Sequence, residues 1–223
     1  MKKNTLLMLV CALCLIRCNK ENSTATSSSL PKDYDGNVYD TIKIGTKVLM
    51  LENLKTSHYN DGSAIPEVKD SATWKNTSSG AFCYYGNDST NNATYGKLYN
   101  WFAASSGKLA PQGWHIPTDA EFATLVAHLG GDSLAGDKMK STILWTTGPG
   151  AGTNSSGFNG LPSGFRNSFN SKFSSLHYYG GWWSSTELGG IIAWDWYLYD
   201  GISLITRDNG NKNDGTAIRC VRD

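Results

Sequence analysis

An α+β domain, an antiparallel β-sheet with two or three short helices and long loops, is what this sequence predicts, on three observations. An early stretch, DGNVYDTIKIGTKVLMLENL, is β-branched and broken by a glycine, the pattern of a hairpin. A later one, PTDAEFATLVAHLGG, carries helix-start and helix-stop signals around one apolar stripe. The end of the chain returns to aromatic, alternating stretches separated by Asp, Asn and Gly. Hairpin, helices, loops and then β-meander is the order of an α+β chain. A length of 223 residues with 39% hydrophobic content suits one domain plus processing segments.

The first eighteen residues, MKKNTLLMLVCALCLIRC, read as an export signal: Lys2 and Lys3 form the positive end and an apolar run from Thr5 to Ile16 follows. The run is too short for a membrane-spanning helix, which needs about 20 residues. Its ending, Leu15-Ile16-Arg17-Cys18, resembles the lipobox of bacterial lipoproteins, with Cys18 as the acylated residue. Arg17 departs from the small residue usual there and leaves ordinary secretion or a different cleavage point as the alternatives. Residues 19–33, NKENSTATSSSLPKD, are polar and Ser/Thr-rich, too poor in apolar surface to fold alone, and read as a tether. The domain then spans 34–223. The implied localisation is export and lipid anchoring to the outer membrane, surface-exposed, with the membrane touched only through the lipid.

Within the domain, strands are expected near 38–44 and 47–51, joined at Gly45. TYGKLYNWFAAS, 94–105, places Leu98, Trp101 and Phe102 at helical spacing and reads as a short helix. In the next helix Thr118 and Glu121 form a capping box, Phe122, Leu125, Val126 and Leu129 form the buried stripe, and Gly130 ends it. A further short helix is expected near Ser133 to Ser141. Residues 148–168 hold too many Gly, Ser and Asn for a long regular element.

Four of the eight tryptophans fall between Trp182 and Trp196. Asp200-Gly201 reads as a two-residue hairpin turn that sets Tyr199 opposite Ile202, Tyr197 opposite Leu204, Trp196 opposite Ile205 and Trp194 opposite Arg207. Ile192, Trp194, Trp196 and Leu198 then share a core face, while Ala193, Asp195, Tyr197 and Tyr199 share the other. Arg207 is placed to lie on the Trp194 ring. The pleat sends Trp182 and Trp183 to opposite sides, which makes one of them core and the other a candidate for stacking on a ligand, with Tyr178 or Tyr179 beside it.

The phrases DGNVYDTIKIG, LENLKTSHYNDG, YGKLYNWFA, GWHIPTDAEF, LPSGFRN, GWWSSTE and IRCVRD occur in the order found in the Fibrobacter succinogenes major paralogous domain, a family of bacterial surface and secreted proteins. The resemblance covers nearly all of 34–223. It implies a surface protein and a distant similarity to the C-type-lectin-like fold; GWHIPTDAEF is also similar to a phrase of formylglycine-generating enzymes. Cys83 and Cys220 are the cysteines left outside the signal segment, and in an exported chain they are a candidate disulfide. Family members often carry a cysteine where Ala110 stands, so two buried free thiols remain the other reading.

Catalytic constellations are missing. No second thiol accompanies Cys220 between 200 and 219, as copper-dependent oxidation of the formylglycine-generating kind requires. His58, His115, His128 and His177 lack metal-ligand spacing. There is no phosphate loop and no nucleophile elbow. Asp195 and Glu187 are a carboxylate pair of the type glycoside hydrolysis uses, within a population of 19 acidic residues. Asp208, Asn211 and Asp214 in RDNGNKNDG are oxygen ligands of a kind that suits calcium, without EF-hand spacing, and a solvated turn is the plainer reading. No other cofactor is expected. A net charge of +1 and 17% charged residues leave no basic footprint for nucleic acid. The expectation is a monomeric, non-enzymatic binding or adhesion module for a glycan or other surface ligand. A polysaccharide-active enzyme and a structural envelope protein are the alternatives.

Overall fold

The computed structural model describes residues 30–146 and 152–223. The segments read from the sequence as a signal, with Cys18, and most of the expected tether lie outside these residues. The fold is mixed α+β, with antiparallel sheets and short helices. Among the described residues no helix is long and apolar enough to cross a membrane.

The early hairpin forms as β1 (Thr41–Ile44) and β2 (Lys47–Met50), turning at Gly45 with φ 61°. Next come α1 (Ser71–Asn76), β3 (Phe82–Cys83), α2 (Asn92–Tyr95), β4 (Leu98–Tyr99), α3 (Trp101–Ala104) and β5 (Trp114–His115). Helices α4 (Asp119–His128) and α5 (Asp132–Met139) follow, then β6 (Ser163–Arg166), β7 (Phe173–Leu176), β8 (Tyr179–Gly189), β9 (Ile192–Tyr199), β10 (Ile205–Asn211) and β11 (Val221–Arg222). One sheet runs β1-β2-β11-β5 and another β10-β9-β8, with β3-β4 and β6-β7 as separate pairs. The last strand closes the first sheet, Val221 pairing with both Leu49 and His115.

Helix α4 forms as its sequence requires. The Thr118 and Glu121 side chains cap each other's backbone, Phe122, Leu125 and Val126 are buried, and Gly130 leaves the helix at φ 103°. The helix expected over 94–105 is instead broken into α2, β4 and α3. Gly96 adopts φ 73°, where a Cβ would stand 2.8 Å from the Leu54 carbonyl oxygen. Asn100 then caps α3 afresh by accepting from the Ala103 N–H at 3.1 Å. Local periodicity lost here to a long-range contact.

The β9-β10 connection also departs from the expected turn. Leu198 pairs with Ile205, Tyr197 with Thr206, Trp196 with Arg207, Asp195 with Asp208 and Trp194 with Asn209. Residues 200–204 form a loop because α5 holds them: Lys140 Nζ donates to the Ile202 carbonyl, and Gly136 packs so closely that a Cβ would lie 2.2 Å from the Ser203 carbonyl oxygen. The shift is two residues, an even number, so each side chain keeps its expected face.

The β8-β9-β10 sheet lies between two apolar clusters. Phe122, Leu125, Met139, Trp182, Trp196, Leu198 and Ile205 pack on one side. Tyr39, Met50, Tyr99, Trp101, Trp183, Ala193 and Cys220 pack on the other. Trp196 stacks on Phe122 with ring centroids 6.0 Å apart and donates from Nε1 to Asp119 at 2.9 Å. Trp194 is not core: it is partly exposed, opposite Asn209, with the Arg207 guanidinium 3.4 Å above its ring centroid. Asp119 fixes that guanidinium by accepting from Nε at 2.8 Å and from Nη2 at 2.7 Å.

Candidate functional site

The one tryptophan of Trp182 and Trp183 that the pleat was expected to offer for stacking is not available to a ligand. Trp182 and Trp183 do point to opposite faces, but both are fully buried because this part of the sheet is covered on both sides. Trp182 donates from Nε1 to Asn53 Oδ1 at 2.8 Å and meets Phe158 edge-on at 5.1 Å. Trp183 donates to the Tyr99 carbonyl at 3.0 Å, and its ring covers Gly210, where a Cβ would stand 2.6 Å away. Tyr178 is 48% exposed but sits on a separate shallow depression with Leu144, Trp145 and His177. Of the four candidates only Tyr179 lies on the aromatic face described next.

That face is the second side of the β8-β9-β10 sheet beyond the end that Trp183 covers. Alternation along β9 brings Asp195, Tyr197 and Tyr199 to one side. Register adds Tyr179 opposite Tyr199, and Thr206 and Asp208 opposite Tyr197 and Asp195. Tyr179 is the hub: its ring centroid is 5.1 Å from those of Phe165 and Tyr197 and 6.4 Å from that of Tyr199. Gly181 makes room for it, since a Cβ there would be 2.4 Å from the Tyr179 hydroxyl. Phe165 and Tyr197 are partly exposed and Tyr199 is 42% exposed, which leaves an open aromatic strip on rigid strands.

Asp195 forms the inner end of the strip. It is only 8% exposed, its Oδ1 has no hydrogen-bond partner, and its Oδ2 receives a long 3.5 Å contact from the Tyr179 hydroxyl. Burial, and then the charges of Asp208 and Asp214, push its carboxyl up to about 7, with the Tyr179 hydroxyl acting in the opposite sense. Burial likewise raises the Tyr179 phenol, aided by Asp195 and Asp214. Asp195 therefore holds its proton far more readily than an ordinary aspartate. Perturbed carboxyls of this kind gather at functional sites.

Other sequence candidates separate. Glu187 pairs with Lys212 and so does not join Asp195 as a second open carboxylate. Asp208, Asn211 and Asp214 do not form a calcium cage. Asp214 accepts from the Ser168 N–H at 2.7 Å and the Asn211 N–H at 2.9 Å, and Asn211 Oδ1 accepts from the Asn213 N–H at 3.0 Å. These oxygens build the turn. Among the described residues no group of three His, Cys, Asp or Glu side chains is arranged to hold a metal ion. Cys83 and Cys220 are free and buried, in different clusters, so the disulfide expectation gives way to two free thiols. Burial pushes the Cys83 thiol up to about 12, against the influence of Arg166.

Away from the strip, a concavity of about 190 Å³ is lined by Leu109, Ala110, Trp114, His115, Ile116 and Ser185. It is small beside typical ligand cavities of about 300–1,000 Å³. Both His115 nitrogens are already engaged, Nδ1 with Asp223 at 2.6 Å and Nε2 with Glu121 at 3.0 Å. The ring locks β5, α4 and the end of the chain together.

The strip was missed in the sequence because the tryptophans there outweighed the tyrosines. Its signal was the alternation of Asp195, Tyr197 and Tyr199 on the face assigned away from the core. Compared with known proteins, residues 42–222 match the family model described as the Fibrobacter succinogenes major domain. No curated protein and no solved structure matches the chain.

Proposed function

The chain belongs to the Fibrobacter succinogenes major domain family, and from that premise we propose that it is a non-enzymatic binding module for glycans, presented at the cell surface by a lipid on Cys18. The observation that carries this reading is the open strip of Phe165, Tyr179, Tyr197 and Tyr199, ending in the buried carboxyl of Asp195. Sugar rings present apolar C–H faces that stack on aromatic rings, and hydroxyls that need acceptors. A rigid aromatic strip with a carboxyl at its end offers both at little ordering cost. The finer fold reading, a C-type-lectin-like arrangement, is supported by the way β11 returns to pair with the opening hairpin.

The test is affinity electrophoresis of the full chain in detergent through gels containing soluble β-glucan, xylan or mannan. Retardation by at least one polysaccharide is expected, with Y197A and Y199A weakening it tenfold or more while leaving the melting temperature nearly unchanged. Loss of neither retardation nor affinity in the variants moves the site elsewhere, and a wild-type chain retarded by none removes the glycan reading.

A further inference from the structure

We propose that the tyrosine strip selects glycans that carry no acidic groups, with Asp195 and Asp208 as the residues that make the choice. The inference rests on the glycan-binding reading of the same face and adds the ligand's charge. Asp195 and Asp208 are direct cross-strand partners, so their side chains stand side by side on the face that carries Tyr197 and Tyr199. Asp195 also faces Tyr179 from β8 and lies beside Gly210 of β10, over which the Trp183 ring packs. The charges acting most strongly on it are those of Asp208 and Asp214, both negative.

Two features turn this cluster toward a ligand. Asp195 Oδ1 is buried without any donor, a state that native proteins seldom leave uncorrected. The other carboxyl oxygen, Oδ2, receives a contact from the Tyr179 hydroxyl that is 3.5 Å long and weak enough to yield. A sugar hydroxyl stacked at this end of the strip replaces that weak donor at Oδ2. A uronate, sulfate or sialic-acid carboxylate brought to the same place adds a like charge beside Asp208 and a partly desolvated Asp195, where screening by water is poor.

The experiment is calorimetric titration of the full chain in detergent, at pH 7.5, with two probes of equal length. One is a neutral gluco-oligosaccharide and the other an oligogalacturonate. The wild type is expected to bind the neutral probe at least tenfold more tightly. Replacing Asp195→Asn or Asp208→Asn should each narrow that ratio at least threefold, mainly by strengthening the acidic probe, and 1 M salt should narrow it as well. Asp208 is exposed, so Asp208→Asn keeps the test alive if Asp195→Asn fails to fold. Equal affinity for both probes, or a ratio that neither substitution moves, overturns the selectivity. In that case weakening of both probes by Tyr199→Ala leaves the glycan reading standing, whereas a wild type that binds neither probe overturns the two together.

Discussion

Replacing Asp195 with asparagine should change the pH dependence of stability in a defined direction. The carboxyl is pushed from 3.8 to about 7 in the folded chain, because burial and the charges of Asp208 and Asp214 penalise its ionised form. A carboxyl raised by folding binds its proton more tightly in the native state. Its contribution is intact below pH 4, falls as the pH rises toward 7, and is lost above 7. At about 1.4 kcal/mol for each unit of pH, the whole loss is about 4 kcal/mol. The amide that replaces the carboxyl carries no charge to desolvate. The difference in stability between the Asp195→Asn variant and wild type should therefore be flat below pH 4, and should grow in the variant's favour by up to about 4 kcal/mol between pH 4 and 8. For a domain of this size that is roughly 8 to 16 °C in melting temperature. The assay is a pair of melting curves at half-unit pH steps, read as a difference so that other titrating groups cancel. Difference curves that stay parallel from pH 4 to 8 would show that Asp195 ionises freely and that its burial has no electrostatic consequence.

Trp196→Ala should cost about 3 to 5 kcal/mol, as for a stacked core ring, whereas Trp194→Ala should cost about 1 kcal/mol, the worth of an exposed cation contact; denaturant melts of both variants measure the contrast. Thiol labelling followed by peptide mapping should find Cys83 and Cys220 unreactive in the native chain and both reactive in denaturant without reductant, and a residue that stays blocked there contradicts two free thiols. Burial opposes charge on His115, but Asp223 and Glu121 overcome it and raise its pKa. Its stabilising contribution is thus full below pH 6.5 and lost as the pH rises through the higher folded value, a fall that His115→Gln should abolish in pH-dependent melts. Cys18→Ala should move the protein from the membrane fraction to the soluble fraction of cells, and unchanged retention argues against acylation there.

Much of this fold is legible locally. The capping box of α4, its stripe and its glycine stop are short-range features, and α4 forms where they say. The pleat at Trp182 and Trp183 is equally local, and the two rings do diverge. Burial is not local. What covers Trp182 is Asn53, and what covers Trp183 is the Tyr99 backbone, both far away in sequence. A single strand cannot reveal that its second face is roofed at one end and open at the other. The tyrosine strip exists because of that difference. Gly96 makes the same point for 94–105, where helical spacing gave way to the packing of a glycine against Leu54. At 200–204 the turn signal was overridden by α5 and the Lys140 that caps its end, which hold the loop through Gly136 and Lys140 Nζ.

Hydroxyl-radical footprinting of the full chain, with and without a saturating oligosaccharide that retards it in gels, reads the occupied surface residue by residue. Protection is predicted at Phe165, Tyr197 and Tyr199, with Tyr178 and Trp114 labelled equally in both states. Protection confined to Trp114 and the cleft around His115, with Tyr197 and Tyr199 unchanged, would place the ligand in that cleft and contradict a binding strip on the β8-β9-β10 sheet.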